Sequence, residues 1–203
     1  MSKRFDNRTE DQFKKDIFFA TAIENHFWDT WVSRCSDRDN IVIENPADNG
    51  VANDGSFVPS GINTAGADFK ADLKYDNLDQ KDHPIEMKWV PTYGKVTLKQ
   101  ADIKAYLNEG SSILFIYPNQ RIMNLRKPRY PRREDIANHI TKIESVYRHL
   151  RWGLLTPSKL AKLDSWAKAK MVINQFHIWE ANQESLFPLK DFLLIGPKRF
   201  GKP

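Results

Sequence analysis

Residues 83–90 read HPIEMKWV. Glu86 and Lys88 stand two apart, the spacing that puts two side chains on one face of a β-strand. A carboxylate and an ammonium held side by side can pair on a wetted surface. They can also hold a divalent cation and a water against an anionic substrate. The tripeptide alone decides nothing, because the chain has five of the acid-x-Lys type: Asp68-Phe-Lys70, Asp72-Leu-Lys74, Asp79-Gln-Lys81, Glu86-Met-Lys88 and Asp102-Ile-Lys104. Context separates them. Asp79 falls in an expected turn and Asp102 in an expected helix. Glu86-Met87-Lys88 ends a run of strands and leads into a helix and a buried strand. Asp68, 18 positions earlier, lies on the neighbouring strand, so adjacent strands can bring Asp68, Glu86 and Lys88 to one face. Asp72 shares that face and competes with Asp68 for the role.

The elements that must position these residues follow from hydrophobic period. A long first helix starts at Thr9, with Gln12 completing a capping box. Its apolar stripe is Phe13, Ile17, Ala20, Phe27, Trp28 and Trp31. Glu24 sits inside that stripe, where a carboxylate is costly unless something pairs it; Glu10, near the cap, is the competing acid. Strands are expected over 40–45, 67–75 and 83–90, with a long Asn/Gly-rich loop after the first and a turn over 76–84. They form an antiparallel meander. A helix over 97–110, with Leu98, Ala101, Ala105 and Leu107 on one side and Gly110 ending it, leads to an apolar strand over 111–118. Such a crossover makes that strand parallel to an earlier one. Past Pro118 the chain turns basic, with Arg121, Arg126, Lys127, Arg129, Arg132 and Arg133 and no acid between Gly110 and Arg133. Helices are expected over about 133–150 and 157–175, a late strand over 189–195 and a loose tail after it.

The bulk numbers set limits. The chain of 203 residues is long enough for one α/β domain with a proper core. No stretch approaches the roughly 18 apolar residues of a membrane span. The polar N-terminus is not that of a signal peptide, and the single cysteine, Cys35, excludes an internal disulfide framework. An intracellular, cytoplasmic location is expected, with a bacterial or phage-type setting open. Charge is uneven: residues 1–94 hold 11 Lys+Arg against 17 Asp+Glu, and residues 95–203 hold 20 against 9. An acidic half that carries the chemistry, followed by a basic half, suits a metal site beside a phosphate-binding surface. The five histidines lack metal-ligand spacing, and the glycine-rich nucleotide-binding loops are absent.

The run GADF…PIEMKW, with this element order, resembles the PD-(D/E)xK nuclease superfamily. Ala67 stands where the first family motif has a proline. The resemblance covers residues 9–118 and implies a restriction-endonuclease-like αβββαβ core with a mixed central sheet. Residues 119–203 would add a basic linker and a mainly helical C-terminal extension on the same domain. It implies metal-dependent hydrolysis of DNA phosphodiesters. Asp68, Glu86 and the carbonyl of Met87 would hold Mg²⁺ or Mn²⁺, Lys88 would assist the attacking water, and Glu24 and Gln100 (or Lys99) would complete the site. The six basic residues above would contact DNA, with Tyr130 stacking on a base or sugar. No membrane partner is expected, and a homodimer is allowed. A non-catalytic nucleic-acid-binding protein with the same fold is the alternative. An unrelated α/β protein with surface ion pairs would place Asp68 and Glu86 far apart and turn Glu24 elsewhere.

Overall fold

The computed structural model describes residues 8–35, 41–48, 66–75, 78–90, 95–96, 98, 100–118, 125, 127–169, 176–177 and 195–200. Within them the protein is mixed α/β. Helix α1 (Glu10–Cys35) precedes strands β1 (Ile41–Asp48), β2 (Phe69–Tyr75) and β3 (Leu78–Trp89). A short β4 (Lys95–Val96) leads to α2 (Gln100–Glu109) and β5 (Ser112–Pro118). Then come α3 (Arg133–Glu144), a 3₁₀ turn (Tyr147–His149), β6 (Leu150–Leu155), α4 (Pro157–Ala169), β7 (Phe176–His177) and β8 (Ile195–Arg199). Six strands form one sheet in the order β1-β2-β3-β5-β6-β8, and β4 pairs with β7 in a separate ladder.

The sheet is mixed. β1, β2 and β3 form the expected antiparallel meander. β5 lies parallel to β3, with Glu86 opposite Ile113 and Lys88 opposite Phe115. The crossover through α2 forces this, because a parallel neighbour cannot be reached by a hairpin. All seven residues of β5 are buried, as a strand covered on both faces must be. One face carries a core of α1 side chains with Phe69, Met87, Leu114, Trp152 and Ile143 of α3. The other carries Ile103 and Tyr106 of α2, Phe115, Tyr117 and Leu160 of α4. Rings hold α1 down: Trp28 stacks on Phe69 at 4.6 Å, Phe27 meets Trp89 at 4.6 Å, and Trp31 meets Trp152 edge-on at 5.5 Å.

Several local expectations shift. The turn expected over 76–84 is mostly strand: β3 starts at Leu78, opposite Tyr75, so the hairpin is much tighter. Asp72 explains how the irregular stretch is held. Its carboxylate accepts from Asn45 Nδ2 and from the Asp82 backbone N–H, each at 2.8 Å, and both partners have positive φ, 48° and 47°. Thr9 Oγ1 does accept from Gln12 N–H at 3.2 Å, but the Gln12 side chain turns to Asp16 at 2.8 Å, leaving half a capping box. The buried face of α1 runs through Phe19 and Ile23 where Ile17 and Ala20 were expected.

C-terminal to β5 the chain adds strands as well as helices. The helix expected to reach 150 ends at Glu144, and β6 pairs antiparallel with β5. A late strand is present at 195–199 and pairs with β6; residues 189–194 of the strand expected there lie outside the described residues. The tail is therefore not loose there: Phe200 is buried, donates its N–H to Leu150 O at 3.0 Å, and packs edge-on against Phe27. Among the described residues no helix is long and apolar enough to cross a membrane.

Gly110 closes α2 at φ +78° and sets the turn into β5. A Cβ there would meet no atom within 4 Å, so only backbone strain opposes one. Gly110→Ala is expected to cost about 1 kcal/mol of stability in urea denaturation; an unchanged midpoint would contradict the left-handed turn.

Candidate active site

Three elements bring the acids and the lysine together. Asp68 comes from the segment entering β2, Glu86 and Lys88 from β3, and Glu24 from α1. Glu86 is 4% exposed, not the half-wetted residue that strand alternation suggests. The reason is the sheet order: β3 is interior, between β2 and β5, and both its faces are covered. A carboxylate buried there must be paired. Its Oε1 accepts from the Tyr106 hydroxyl at 2.7 Å and lies against the Lys88 ammonium. Its Oε2 is buried and meets no hydrogen-bond donor among the described residues.

Asp68 lies beside this pair. Its Oδ2 sits 3.4 Å from the Met87 backbone N, and its carboxyl is within hydrogen-bonding reach of Glu86. Burial first, then the charges of Glu86 and Glu24, push Asp68 up to about 8. Burial and the charge of Glu86 push Glu24 up to about 7, although Lys88 pulls it down. Burial would lower Lys88, but Glu86, the Tyr106 oxygen and Glu24 outweigh it and hold the ammonium above the ordinary lysine range. Tyr106 is likewise raised, by burial first. Near neutral pH the cluster is therefore an ammonium among carboxyls, at least one of which keeps its proton.

Glu109 holds the frame. Its Oε2 accepts from the Ala67 backbone N–H at 2.9 Å and from the Ser111 hydroxyl. The end of α2 is thus tied to the residue before Asp68.

Comparison of the chain with protein-family models, curated proteins and solved structures gives no match.

Of the residues expected at the site, Asp68, Glu86, Lys88 and Glu24 converge. Asp68 and Glu86 adjoin, and Glu24 lies in the field of both Lys88 and Glu86. Asp72 does not join them; it pins Asn45 and Asp82. Glu10 is exposed on the first turn and pairs with Lys14 at 2.9 Å, so Glu24 is the acid of α1 that reaches the cluster. Gln100 begins α2; its side chain, and Lys99, lie outside the described residues, as do Arg121 and Arg126. Lys127 pairs with the buried Asp16 at 2.9 Å, and Arg132 with Glu134 at 3.1 Å and Asp135 at 3.5 Å. Arg129 and Arg133 lie instead against the rings of Tyr130 and Phe18.

Tyr106, Glu109 and Asp16 were not anticipated. Tyr106 had a signal: Ile103 and Tyr106, three apart, form the buried edge of α2, whereas Ala101 of the expected stripe is exposed. Asp16 had none, because its partners Arg8 and Lys127 are brought to it by folding.

No group of three or more His, Cys, Asp or Glu side chains among the described residues has the arrangement to hold a metal ion. Two features fit a cation nonetheless: adjoining carboxyls that retain a proton, and the donorless buried Oε2 of Glu86.

A carboxyl whose folded pKa exceeds its unfolded value favours the folded state only while protonated. The contribution is full below about 4 and is lost as pH rises through the folded values, about 7 for Glu24 and about 8 for Asp68. His26, His83 and His139, lowered first by burial, oppose it only below about pH 6.5. Metal-free protein should therefore lose on the order of 1–2 kcal/mol between about pH 6.5 and 8.5. Asp68→Asn should flatten most of that slope in urea titrations; an equally steep variant would count against the proton on Asp68.

Proposed function

We propose that the protein is a metal-dependent nuclease that hydrolyses phosphodiester bonds of DNA, built on a restriction-endonuclease-like core. The observation that carries the reading is the meeting of Asp68, Glu86, Lys88 and Glu24 from separate elements. An unrelated protein with surface ion pairs had no reason to bury Glu86 or to set Asp68 against it. The order α1-β1-β2-β3-β4-α2-β5, in which the two-residue β4 lies outside the main sheet and β5 is parallel to β3, supports the fold. Ala67 departs from the family's proline, and its N–H donates to Glu109. A proline has no N–H to give, so the departure accompanies a local contact that holds Asp68 in place.

Asp68, Glu86 and the Met87 carbonyl would hold Mg²⁺ or Mn²⁺, hard cations that take oxygen ligands. When bound, such an ion supplies a Lewis acid for the phosphate and lowers the pKa of water. The chain's own groups do the rest. Asp68 would have to release its proton to act as a ligand, so cation binding would be weaker in acid. Tyr106 fixes Glu86 through Oε1 and leaves Oε2 open. Lys88, held protonated, offsets negative charge gathering on the phosphate and orients a water by hydrogen bonding. Glu24, near 7, is matched to proton transfer at neutral pH.

Plasmid or single-stranded DNA should be cut with Mg²⁺ or Mn²⁺ and left intact in EDTA. Lys88→Ala should lower the rate at least about 100-fold while leaving the circular dichroism spectrum unchanged, and Tyr106→Phe should lower it about tenfold. Full activity in Lys88→Ala would sink the mechanism. DNA binding without cleavage under either ion would favour the non-catalytic alternative.

A further inference from the structure

Phe18 and Tyr130 are the two exposed large hydrophobic residues among the described residues, at 51% and 61%. They are not scattered. Arg133 Cζ lies 5.8 Å from the Phe18 ring centre, and Arg129 Cζ lies 5.3 Å from that of Tyr130. Phe18 also lines a groove of about 420 Å³ between α1 and the start of α3, with Lys14, Lys15, Pro131, Arg132 and Arg133 around it. Lys14 and Arg132 have carboxylate partners. No carboxylate pairs with Lys15, Arg129 or Arg133 among the described residues.

The groove adjoins a second cavity that borders the site. Phe19 walls both, and Trp89, His139, Lys127 and Glu24 also line the second, of about 410 Å³. Its volume is in the range of roughly 300–1,000 Å³ that takes a small organic group. Glu24 stands in the field of Lys88 and Glu86, so this cavity borders the carboxylate cluster.

Unneutralised cations call for an anion, and exposed flat rings call for flat apolar faces. Nucleic acid has both, but a duplex buries its base faces in its own stack. A single strand offers phosphates and open bases together. Resting on the nuclease reading for its direction, we propose that groove and cavity form a track for single-stranded DNA. Phosphates pass Lys15, Arg129 and Arg133, bases stack on Phe18 and Tyr130, and the strand runs past Phe19 toward the carboxylates.

The test is fluorescence anisotropy on the full chain in EDTA, where no cutting interferes. The probes are an oligo-dT strand and a hairpin duplex with the same number of phosphates. Wild type should bind the strand at least about tenfold tighter than the duplex. Phe18→Ala and Tyr130→Ala, both at exposed rings, should each weaken strand binding about tenfold and leave duplex binding within about twofold. The double change Lys15→Glu, Arg133→Glu should weaken strand binding and flatten its dependence on salt. Equal or tighter duplex binding, strand binding indifferent to both ring changes, or binding of neither probe would overturn the track. Cleavage with Mg²⁺ separates the two ideas. A cutting enzyme whose strand affinity ignores Phe18→Ala keeps the nuclease and loses the track. A protein that never cuts but loses strand binding in Phe18→Ala keeps the track and loses the nuclease.

Discussion

Glu86 and Lys88 lie side by side on an interior strand, and Glu86 is taken almost wholly out of water. A buried charge without partners costs several kcal/mol, so the surroundings of β3 must answer it. Tyr106 is aimed across from α2 to donate to Glu86. The same burial makes the neighbouring carboxyls of Asp68 and Glu24 reluctant to ionise. Four groups thus share too little solvent and too much charge. Such crowding opposes stability, and it is the observation on which the proposed function rests.

The sheet makes this crowding mechanically affordable. α1 and α3 seal one face and α2 and α4 the other, and aromatic contacts fix α1 over β2, β3 and β6. Two carboxylates that are not in the cluster keep the frame in register. Glu109 ties α2 to the segment carrying Asp68, and Asp72 ties β1 to the irregular part of β3. Asp16, itself buried, does comparable work on α1, holding Arg8 and Lys127 against it. With Lys127 and Arg132 engaged by acids, the positive charge without a carboxylate partner beside the exposed rings is, among the described residues, that of Lys15, Arg129 and Arg133.

Much of this architecture is written in local pattern. Alternation marks β2 and the end of β3, the apolar run marks β5, and Gly110 marks the end of α2, because side-chain period and backbone freedom are properties of short segments. The order of elements then compels an antiparallel meander and a parallel β5, since chain connectivity limits how neighbours can pair. Glu24 stands out at this level as a charge on an apolar stripe, whereas Asp68, Glu86 and Lys88 belong to a tripeptide type that occurs five times and are singled out by the order of the elements around them.

Other features depend on partners distant in sequence. That β6 and β8 extend the sheet is decided by the open edge of β5, which local propensity around residue 150 does not register. That Asp68 and not Asp72 meets Glu86 is set by the register of β2 on β3, with Phe69 opposite Ile85, a property of the pairing and of neither strand alone. The roles of Tyr106, Glu109 and Asp16 appear only when α2, the entry to β2 and the segment at Lys127 are brought into contact. Proton affinity is the clearest case: a carboxyl in a sequence has its ordinary pKa, and only burial beside other charges, which requires the folded chain, lifts Asp68 and Glu24 toward neutrality.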